Sequence, residues 1–198
     1  VPAAPVARQW ETCQTMNNSW GYNSSDLGYK TPKTLIQQLV TVVSRDGNYL
    51  LNIGPKGDGT VPTQSVDILN SFGNWMNIYN ESIYGTTRSP YPTEPRWGVC
   101  TKKAGRLYAH VFAWPANGRL LIPSLTNTIN KIYLLNDTTT TLGYADSNGC
   151  ITISVPATAP DLINSPVVID VSGVPSASSE YIKVTGITVS SSSGSTAV

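Results

Sequence analysis

The sequence is poor in charge, and this shortage excludes two classes of partner. Only 13% of its 198 residues are Asp, Glu, Lys or Arg, against about 25% in an ordinary soluble domain. The 13 basic and 12 acidic residues nearly cancel, to a formal net charge of +1. A chain with this balance has no basic field that would attract nucleic acid or an anionic lipid surface. We therefore expect no nucleic-acid partner.

Long apolar runs are absent as well. No stretch approaches the ~20 apolar residues of a membrane-spanning helix, so no membrane partner is expected. The first eight residues, VPAAPVAR, lack the basic and apolar regions of a signal peptide. Either a leader has been removed, or the chain is a piece of something longer.

Signatures of metal and redox chemistry are also missing. The three cysteines, Cys13, Cys100 and Cys150, have no C-x-x-C spacing, so we expect neither a zinc site nor a dithiol pair, and no cofactor. A disulfide from Cys100 to Cys150 and three reduced, buried thiols are equal alternatives. The only histidine is His110. A lone histidine in mid-strand is usually structural, and it gives little support to a Ser-His-Asp set.

Four Asn-x-Ser/Thr triplets bear on whether the protein is extracellular or in the secretory pathway. They begin at Asn17, Asn23, Asn80 and Asn136. Together with low charge and many hydroxyl side chains, these acceptors for N-glycosylation favour an extracellular or secretory-pathway protein.

The first half of the chain has the pattern of an α/β fold. Thr31 and Pro32 supply an N-cap and a first-turn proline for a largely apolar helix. Residues 49–53 then form a short apolar run, which is typical of a strand buried on both faces. A second helix is predicted from Pro62. Its apolar stripe is spaced by three or four residues: Val66, Leu69, Phe72, Trp75, Met76 and Tyr79.

After a proline-rich segment at residues 88–96, the apolar residues of the second half no longer have the spacing of a helix. That segment suits an extended linker. Short strands separated by turn residues are predicted at 106–114, 119–122, 130–135, 150–155 and 166–171. Strands at this spacing indicate an antiparallel sandwich.

A series of short sequence words then occurs in a fixed order over residues 10–171. The words are Trp10-Glu11-Thr12-Cys13, Ser19-Trp20-Gly21-Tyr22, residues 47–55 with Asp58-Gly59, Ile83-Tyr84-Gly85, Trp97-Gly98, residues 107–112 and Tyr133-Leu134-Leu135. In these words the chain resembles glycoside hydrolase family 29, the family of the α-L-fucosidases.

The resemblance implies a fold. Family members carry a (β/α)₈-type barrel, a fold of typically ~250 residues, followed by a β-sandwich. Only the closing part of that barrel is matched, so an Asp nucleophile and the fucose-binding histidines would lie on earlier strands outside this sequence. We therefore expect an α/β partial-barrel segment followed by an antiparallel β-sandwich. Its boundaries are a barrel portion at 1–87, the linker at 88–96, the sandwich at 97–189 and a disordered tail at 190–198.

The resemblance also implies candidate site residues. Glu11 matches a Trp-Glu pair and is the candidate general acid/base, with Trp10 as an aromatic wall that would raise the pKa of its carboxyl group. The alternative is a carboxylate that ties down loop backbone. Trp20 resembles the aromatic residue that packs on fucose, and plain core packing is its alternative.

Further polar candidates follow the strand at 49–53, because the carboxyl end of a barrel strand faces the active site. Asn52 would orient a sugar or a neighbouring carboxylate. Asp58 is a weaker catalytic candidate, since a Gly-Asp-Gly sequence more often caps its own turn. Asp46 and Asp58 are the positions to examine for a second carboxylate.

The sequence therefore predicts a secreted glycosidase that releases terminal α-linked fucose from a glycan or glycoside, with retention. The alternative is a non-catalytic module that binds fucose, another carbohydrate or a protein partner, because the nucleophile is missing. A third hypothesis is that another chain supplies the missing barrel strands. Since an incomplete barrel leaves sheet edges to be covered, we expect a homo-oligomer or a rearranged α/β layer.

Overall fold

A computed structural model of the chain describes residues 1–2, 8–147 and 149–178. The predicted tail at 190–198 and the last part of the predicted sandwich lie outside these residues. The elements, in chain order, are β1 (Trp10–Thr15), α1 (Pro32–Val43), β2 (Gly47–Asn52), α2 (Thr63–Tyr79), a 3₁₀ turn (Asn80–Ser82), β3 (Thr87–Arg88), β4 (Gly98–Lys103), β5 (Arg106–Val111), β6 (Arg119–Pro123), β7 (Ile129–Leu134), β8 (Tyr144–Ser147), β9 (Cys150–Ser154) and β10 (Ser165–Val171). Among the described residues, no helix combines the length and apolarity needed to cross a membrane.

The first half contains a β-α-β unit. Strands β1 and β2 run parallel, with Trp10 opposite Gly47 and Thr15 opposite Asn52. Helix α1 connects them and begins as predicted, because the Thr31 side chain accepts a hydrogen bond from the amide of Thr34. These two strands form a separate two-stranded sheet. This half is therefore α/β, with one pair of parallel strands within the described part of the chain.

The strand predicted as buried on both faces is open on one of them. Along β2 the side chains alternate between exposed and half-buried, and Leu50 is 45% exposed. Glu11 and Cys13 on β1 are also exposed, and by the pleat and the register they share the face of Leu50. This prediction was wrong because a strand is covered on both sides only when helices or further strands lie on both sides of its sheet.

The apolar stripe predicted for α2 is also shifted in its first half. Val66 and Leu69 are exposed, whereas Ser65 and Ile68 are buried. Ile68 packs with Met16 and Leu35 in a small core beneath the two-stranded sheet. The helix therefore turns a different face inward at its start than the apolar spacing predicted, while Trp75 and Tyr79 are buried in its second half as expected.

The second half consists of two antiparallel sheets, consistent with the predicted sandwich. One has the order β3-β4-β5-β10-β7 and the other β6-β9-β8. All neighbouring strands in both sheets are antiparallel. Leu107, Ile122, Ile151 and Ile169 are completely buried within one shared core. Strands β3, β4 and β8, like β1, were not predicted from the sequence.

The five-stranded sheet is buried on its other face as well, by the two helices of the first half. Tyr108 and Val168 of the sheet share a core with Ile36 of α1 and with Trp75 and Tyr79 of α2. Hydrogen bonds cross the same boundary, because Trp75 Nε1 donates to the carbonyl of Asn164 at 3.3 Å. Both halves therefore share one core.

The proline-rich segment at 88–96 does not extend freely into solvent, because two of its side chains bind other parts of the fold. Glu94 forms a two-pronged ion pair with Arg45, at 2.8 Å to Nε and 2.6 Å to the second guanidinium nitrogen. Tyr91 is buried, and its hydroxyl donates to the carbonyl of Pro123 in β6 at 2.7 Å. These contacts fasten the segment to the β-α-β unit and to the smaller sheet.

The cysteines are free thiols in this structure. Cys100 is buried within the sandwich core, Cys13 is exposed and Cys150 is half-buried. Of the two alternatives drawn from the sequence, the structure has free thiols and not the disulfide, but only Cys100 is buried, whereas all three were expected to be. Burial raises the pKa of the Cys100 thiol well above its usual value.

His110 is completely buried in β5 and serves as a structural residue. Asn164 Nδ2 donates to its Nδ1 at 2.9 Å, and its Nε2 lies 3.0 Å from the Thr101 hydroxyl. That hydroxyl donates in turn to the carbonyl of Ser82 at 2.7 Å. Burial lowers the pKa of His110 to about 3, because a charged imidazole is costly to remove from water.

This pKa predicts that acid destabilises the fold through His110. The unfolded chain binds a proton on this imidazole below about pH 6.5, while the folded chain does so only near pH 3. Stability is therefore complete above pH 6.5 and falls as the pH decreases through that window. We expect urea denaturation between pH 7 and pH 5 to show a slope of up to about 1.4 kcal/mol per pH unit.

The control is His110→Gln, which keeps a polar side chain but cannot titrate. Its free energy of unfolding should be lower at pH 7 and nearly independent of pH down to pH 5, above the range in which carboxylates titrate. A variant that keeps the full slope of the unsubstituted chain contradicts the assignment to His110.

Candidate active site

The loops after β1 and β2 meet at the carboxyl ends of these two parallel strands. Ligands of parallel α/β sheets bind in this region, because the loops there converge while the strands hold them in place. Asn52 is the last residue of β2 and Trp20 lies in the loop after β1. The structure therefore brings two of the predicted site residues together.

Asn52 holds the loop that carries Trp20. Its Nδ2 donates to the backbone carbonyl of Trp20 at 2.7 Å, across 32 residues of sequence. Gly54 supports the same contact, since a Cβ at this position would lie 2.9 Å from backbone atoms of Gly21 and Tyr22. Asn52 therefore fixes the backbone at Trp20, and its orientation of a sugar or a neighbouring carboxylate stays a prediction.

The indole of Trp20 is open to solvent. Trp20 as a whole residue is 59% exposed, although its backbone carbonyl accepts a hydrogen bond from Asn52. An exposed aromatic ring on a fixed backbone does not serve core packing, which was the alternative drawn from the sequence. It presents a flat apolar surface at the carboxyl end of the strands.

Lys30 fastens the end of β1 to the start of the same loop. Its ammonium group donates to the carbonyls of Thr15 and Asn17, both at 2.7 Å, and to the Thr15 hydroxyl at 3.2 Å. Burial lowers the pKa of Lys30, and the nearby Asp26 carboxylate opposes that shift. The ammonium group of Lys30 thus provides hydrogen bonds for backbone carbonyls where β1 ends.

Asp26 closes the loop from the other side. Its carboxylate accepts hydrogen bonds from the Ser19 hydroxyl at 2.8 Å, from the amide of Gly28 at 3.2 Å, and from both the amide and the side chain of Asn18, at 2.9 and 3.2 Å. The hydrogen bond from Ser19 is the main reason that the pKa of Asp26 is lowered. Sequence reasoning missed Lys30 and Asp26, because no motif relates them to the groups that they bind.

Glu11 lies on the open face of the two-stranded sheet, toward the start of β1. It is exposed, and its Oε1 lies 3.8 Å from the Cys13 sulfur. Trp10 occupies the opposite face, where its ring covers Gly47 and its Nε1 donates to the carbonyl of Arg45 at 3.1 Å. The predicted aromatic wall is therefore wrong, because neighbouring residues of a strand point to opposite sides.

Trp10 lies at the other end of β1 from the start of the loop that carries Trp20. It begins the strand, which ends at Thr15, so the strand spans about 17 Å between these two residues. Trp10 therefore packs at the amino-terminal end of the sheet.

The two aspartates considered for a second carboxylate are used in local structure. Asp58 Oδ1 accepts from the amide and the hydroxyl of Thr60, at 2.9 and 2.7 Å, and the amide hydrogen bond is the first cause of its lowered pKa. Asp46 precedes β2 at the end away from Asn52, and it accepts from the amide of Arg88 at 2.6 Å. Within the described ranges, no group of three or more His, Cys, Asp or Glu side chains could hold a metal ion.

The contact between Asn52 and Trp20 can be tested in solution. In Asn52→Ala the loop loses one hydrogen bond, a net cost of about 1 kcal/mol, and the indole becomes more mobile. In a chain labelled with 5-fluorotryptophan, we expect the ¹⁹F resonance of Trp20 to shift and broaden while that of Trp75 stays unchanged. Asn48→Ala, at an exposed position near the start of the same strand, is the matched control. An unaltered Trp20 resonance in Asn52→Ala contradicts the conclusion that Asn52 fixes the backbone at Trp20.

Comparisons with known proteins identify relatives of this chain. The family model described as Alpha-L-fucosidase matches residues 1–81. The α-L-fucosidase of Dictyostelium discoideum is 38% identical over 120 residues, which cover 59% of this chain and 26% of that protein. The human tissue α-L-fucosidase is 31% identical over 198 residues, which cover 94% of this chain and 39% of that protein. The chain thus spans well under half the length of these relatives.

Solved structures give the same result. α-L-Fucosidase isoenzyme 1 from Paenibacillus thiaminolyticus superposes with a TM-score of 0.80 at 31% identity, over 86% of this chain and 43% of that one. The Bacteroides thetaiotaomicron α-L-fucosidase trapped as a covalent intermediate superposes with a TM-score of 0.74 at 28% identity, over 82% and 38%. From the strand-end loops, the sandwich and these similarities together, we conclude that the chain belongs to the α-L-fucosidase family, glycoside hydrolase family 29.

Proposed function

We propose that the protein acts in the hydrolysis of terminal α-linked L-fucose from glycans or glycosides. The observation that carries this proposal is the exposed indole of Trp20, held at the carboxyl end of parallel strands in a member of the α-L-fucosidase family. Its relatives and structural neighbours are named α-L-fucosidases.

The chemistry of fucose suits an aromatic surface. Fucose is a deoxy sugar, so it has a methyl group and an apolar face as well as hydroxyl groups. C–H groups pack on the face of an indole, whereas hydroxyls need polar partners. Because Asn52 and Gly54 fix the backbone at Trp20, little ordering of this loop is needed when a sugar binds.

Retention of configuration is part of the proposal. The Bacteroides thetaiotaomicron neighbour is described as a trapped covalent intermediate, and such an intermediate belongs to the retaining mechanism. That mechanism needs two carboxyl groups about 5–5.5 Å apart. Glu11 is the candidate general acid/base, and the resemblance assigns the nucleophile to earlier barrel strands.

Glu11 would work only when the open face of the sheet is covered. It is solvent-exposed beside Cys13 and Leu50, whereas proton donation by a carboxyl group in catalysis takes place in a site from which bulk water is excluded. We propose that further strands, from the same protein or from a second copy, cover this face. Light scattering tests the second case, since a monomer at all concentrations excludes the homo-oligomer.

An extracellular or secretory-pathway location is proposed for the protein. Relatives include plasma α-L-fucosidases of rat and human. Of the four predicted N-glycosylation acceptors, Asn23, Asn80 and Asn136 are exposed, while Asn17 is buried and binds the carbonyl of Asp26. Glycosylation at Asn17 is therefore not expected.

The activity is tested with nitrophenyl α-L-fucoside. We expect the protein to release nitrophenol once the further barrel strands cover its open face. Glu11→Gln should then lower turnover by about 100-fold, with partial rescue by azide, because general acid–base catalysis contributes roughly 10²–10⁴. Asp67→Asn, which removes an exposed carboxylate on α2, is the control and should leave the rate unchanged.

Two outcomes contradict these proposals separately. If neither the chain nor its oligomers release nitrophenol, the hydrolase proposal fails for this polypeptide. If turnover occurs and Glu11→Gln does not change it, Glu11 is removed from the mechanism while the activity stands.

A non-catalytic carbohydrate-binding or partner-binding module is the second candidate function. It is favoured by one observation: the single histidine, His110, is completely buried in the sandwich and cannot contact a sugar. Fucose binding in calorimetry without turnover of the aryl fucoside would support this candidate over the hydrolase.

A further inference from the structure

The loop after β1, which carries Trp20, is closed at its two ends by a single residue. At the far end of the loop, the backbone amide of Lys30 donates to the carbonyl of Met16 at 2.7 Å. The ammonium group of the same residue donates to the carbonyls of Thr15 and Asn17, also at 2.7 Å. Three successive carbonyls where the loop leaves β1 therefore accept hydrogen bonds from Lys30.

All three N–H donors of the Lys30 ammonium group are used within the protein. An ammonium group carries three such donors, and this one binds the carbonyl and the hydroxyl of Thr15 and the carbonyl of Asn17. Thr15 and Asn17 are buried, so water has little access to these carbonyls. Because buried carbonyls are costly to leave without a donor, the start of the loop depends on Lys30.

Lys30 lies outside the candidate active site but binds residues that line it. Met16 and Asn17, whose carbonyls accept from Lys30, line a small pocket at the strand ends together with Asn52. The side chain of Lys30 is not part of that lining. Lys30 therefore acts on a bound sugar through the residues that it holds.

A second charged group connects Lys30 to Trp20. The Asp26 carboxylate lies close enough to oppose the fall that burial causes in the pKa of Lys30. The same carboxylate accepts hydrogen bonds from the amide of Asn18 at 2.9 Å and from the hydroxyl of Ser19 at 2.8 Å. These two residues directly precede Trp20 in the chain. The two charges thus fix the backbone in steps from the end of β1 to Trp20.

The contact with Asn52 fixes only one point of this loop. Asn52 binds the carbonyl oxygen of Trp20, and a single point of attachment leaves the path of the preceding chain free. Lys30 supplies a second point, because it holds Thr15 and Asn17 where the loop begins. With both points held, the position and the direction of the indole are set relative to the strand ends.

The placement of Trp20 matters because an apolar contact is sensitive to distance. Attraction between two carbon atoms is strongest near roughly 3.5–4.0 Å, and a gap of about 0.5–1 Å removes a quarter to a half of it. A displacement of this size would weaken the packing of the indole on the apolar face of a sugar. The position of the loop therefore bears directly on sugar affinity.

We propose that Lys30 is a positioning residue for fucose binding: by holding the carbonyls of Thr15 and Asn17, it places the indole of Trp20 against the sugar. This inference rests on the proposed function, because it takes Trp20 as the surface on which fucose packs. Packing on the indole is present both in the bound substrate and in the transition state. Loss of Lys30 therefore raises KM and leaves kcat nearly unchanged.

The first experiment does not depend on activity. In the chain labelled with 5-fluorotryptophan, Lys30→Met keeps an extended apolar side chain but removes the three donors. We expect the ¹⁹F resonance of Trp20 to shift and broaden. That of Trp75 should stay unchanged, because its core contains no described residue of the loop after β1. Lys33→Met, at an exposed lysine in the first turn of α1, is the matched control. An unaltered Trp20 resonance in Lys30→Met overturns the proposal.

The second experiment is a double-mutant cycle on protein that turns over nitrophenyl α-L-fucoside. Lys30→Met should raise KM about 3- to 10-fold and change kcat by less than about 2-fold. Lys30→Arg, which keeps the charge and several N–H donors, should recover part of the loss. In a Trp20→Ala background, Lys30→Met should have little further effect on KM, because Lys30 acts through Trp20.

The outcomes separate this proposal from the proposed function. A fall in kcat at unchanged KM contradicts the positioning role, and so does an equal effect of Lys30→Met with and without the indole of Trp20. Failure of the unsubstituted protein to turn over the aryl fucoside contradicts the proposed function instead. In that case the ¹⁹F spectra still decide whether Lys30 places Trp20.

Discussion

The packing of two helices against the outer face of the five-stranded sheet is the contact on which the rest of this structure depends. Trp75 and Tyr79 of α2 lie 5.2 Å apart, ring centre to ring centre, and share a core with Tyr108 and Val168 of the sheet. The two-stranded parallel sheet has little core of its own, since one of its faces is bare. Its position is set by α1 and α2, and these helices are held in turn by the sandwich. The sandwich thus acts as the support of the strand-end loops.

Local polar contacts then shape the candidate active site on that support. The charged groups of Lys30 and Asp26 form hydrogen bonds with backbone and side-chain groups at the end of β1 and in the loop after it. Asn52 and Gly54 join this loop to the end of β2. The result is an exposed Trp20 on a fixed backbone. Such an arrangement suits sugars, whose binding depends on many weak contacts and tolerates little loss of order.

The sequence predicted the helices and most sandwich strands because their signals are local. Thr31 and Pro32 mark a helix start, and turn residues separate the strands. It missed β1, which alternates in burial but carries no turn signal, and it shifted the buried face of α2 by choosing Val66 and Leu69 over Ile68. For the site, it selected Trp20 from a family resemblance and Asn52 from its place at a strand end, where Asn52 was expected to orient a sugar or a neighbouring carboxylate. Lys30 and Asp26 could not be found, because their partners lie up to 15 residues away in sequence and no motif connects them.

The sequence alone determined the family, the two helices, most sandwich strands and the absence of a strong electrostatic field, since motifs, turn residues and composition are properties of the chain itself. Only the tertiary structure decided which side of each strand is covered. Because successive side chains of a strand point to opposite sides, Trp10 and Glu11 lie on opposite faces. This alternation does not determine which face packs against the helices. The helices pack against Leu51 on the face that Trp10 shares and leave the face of Glu11 open, because the apolar faces of α1 and α2 must be buried against both sheets at once.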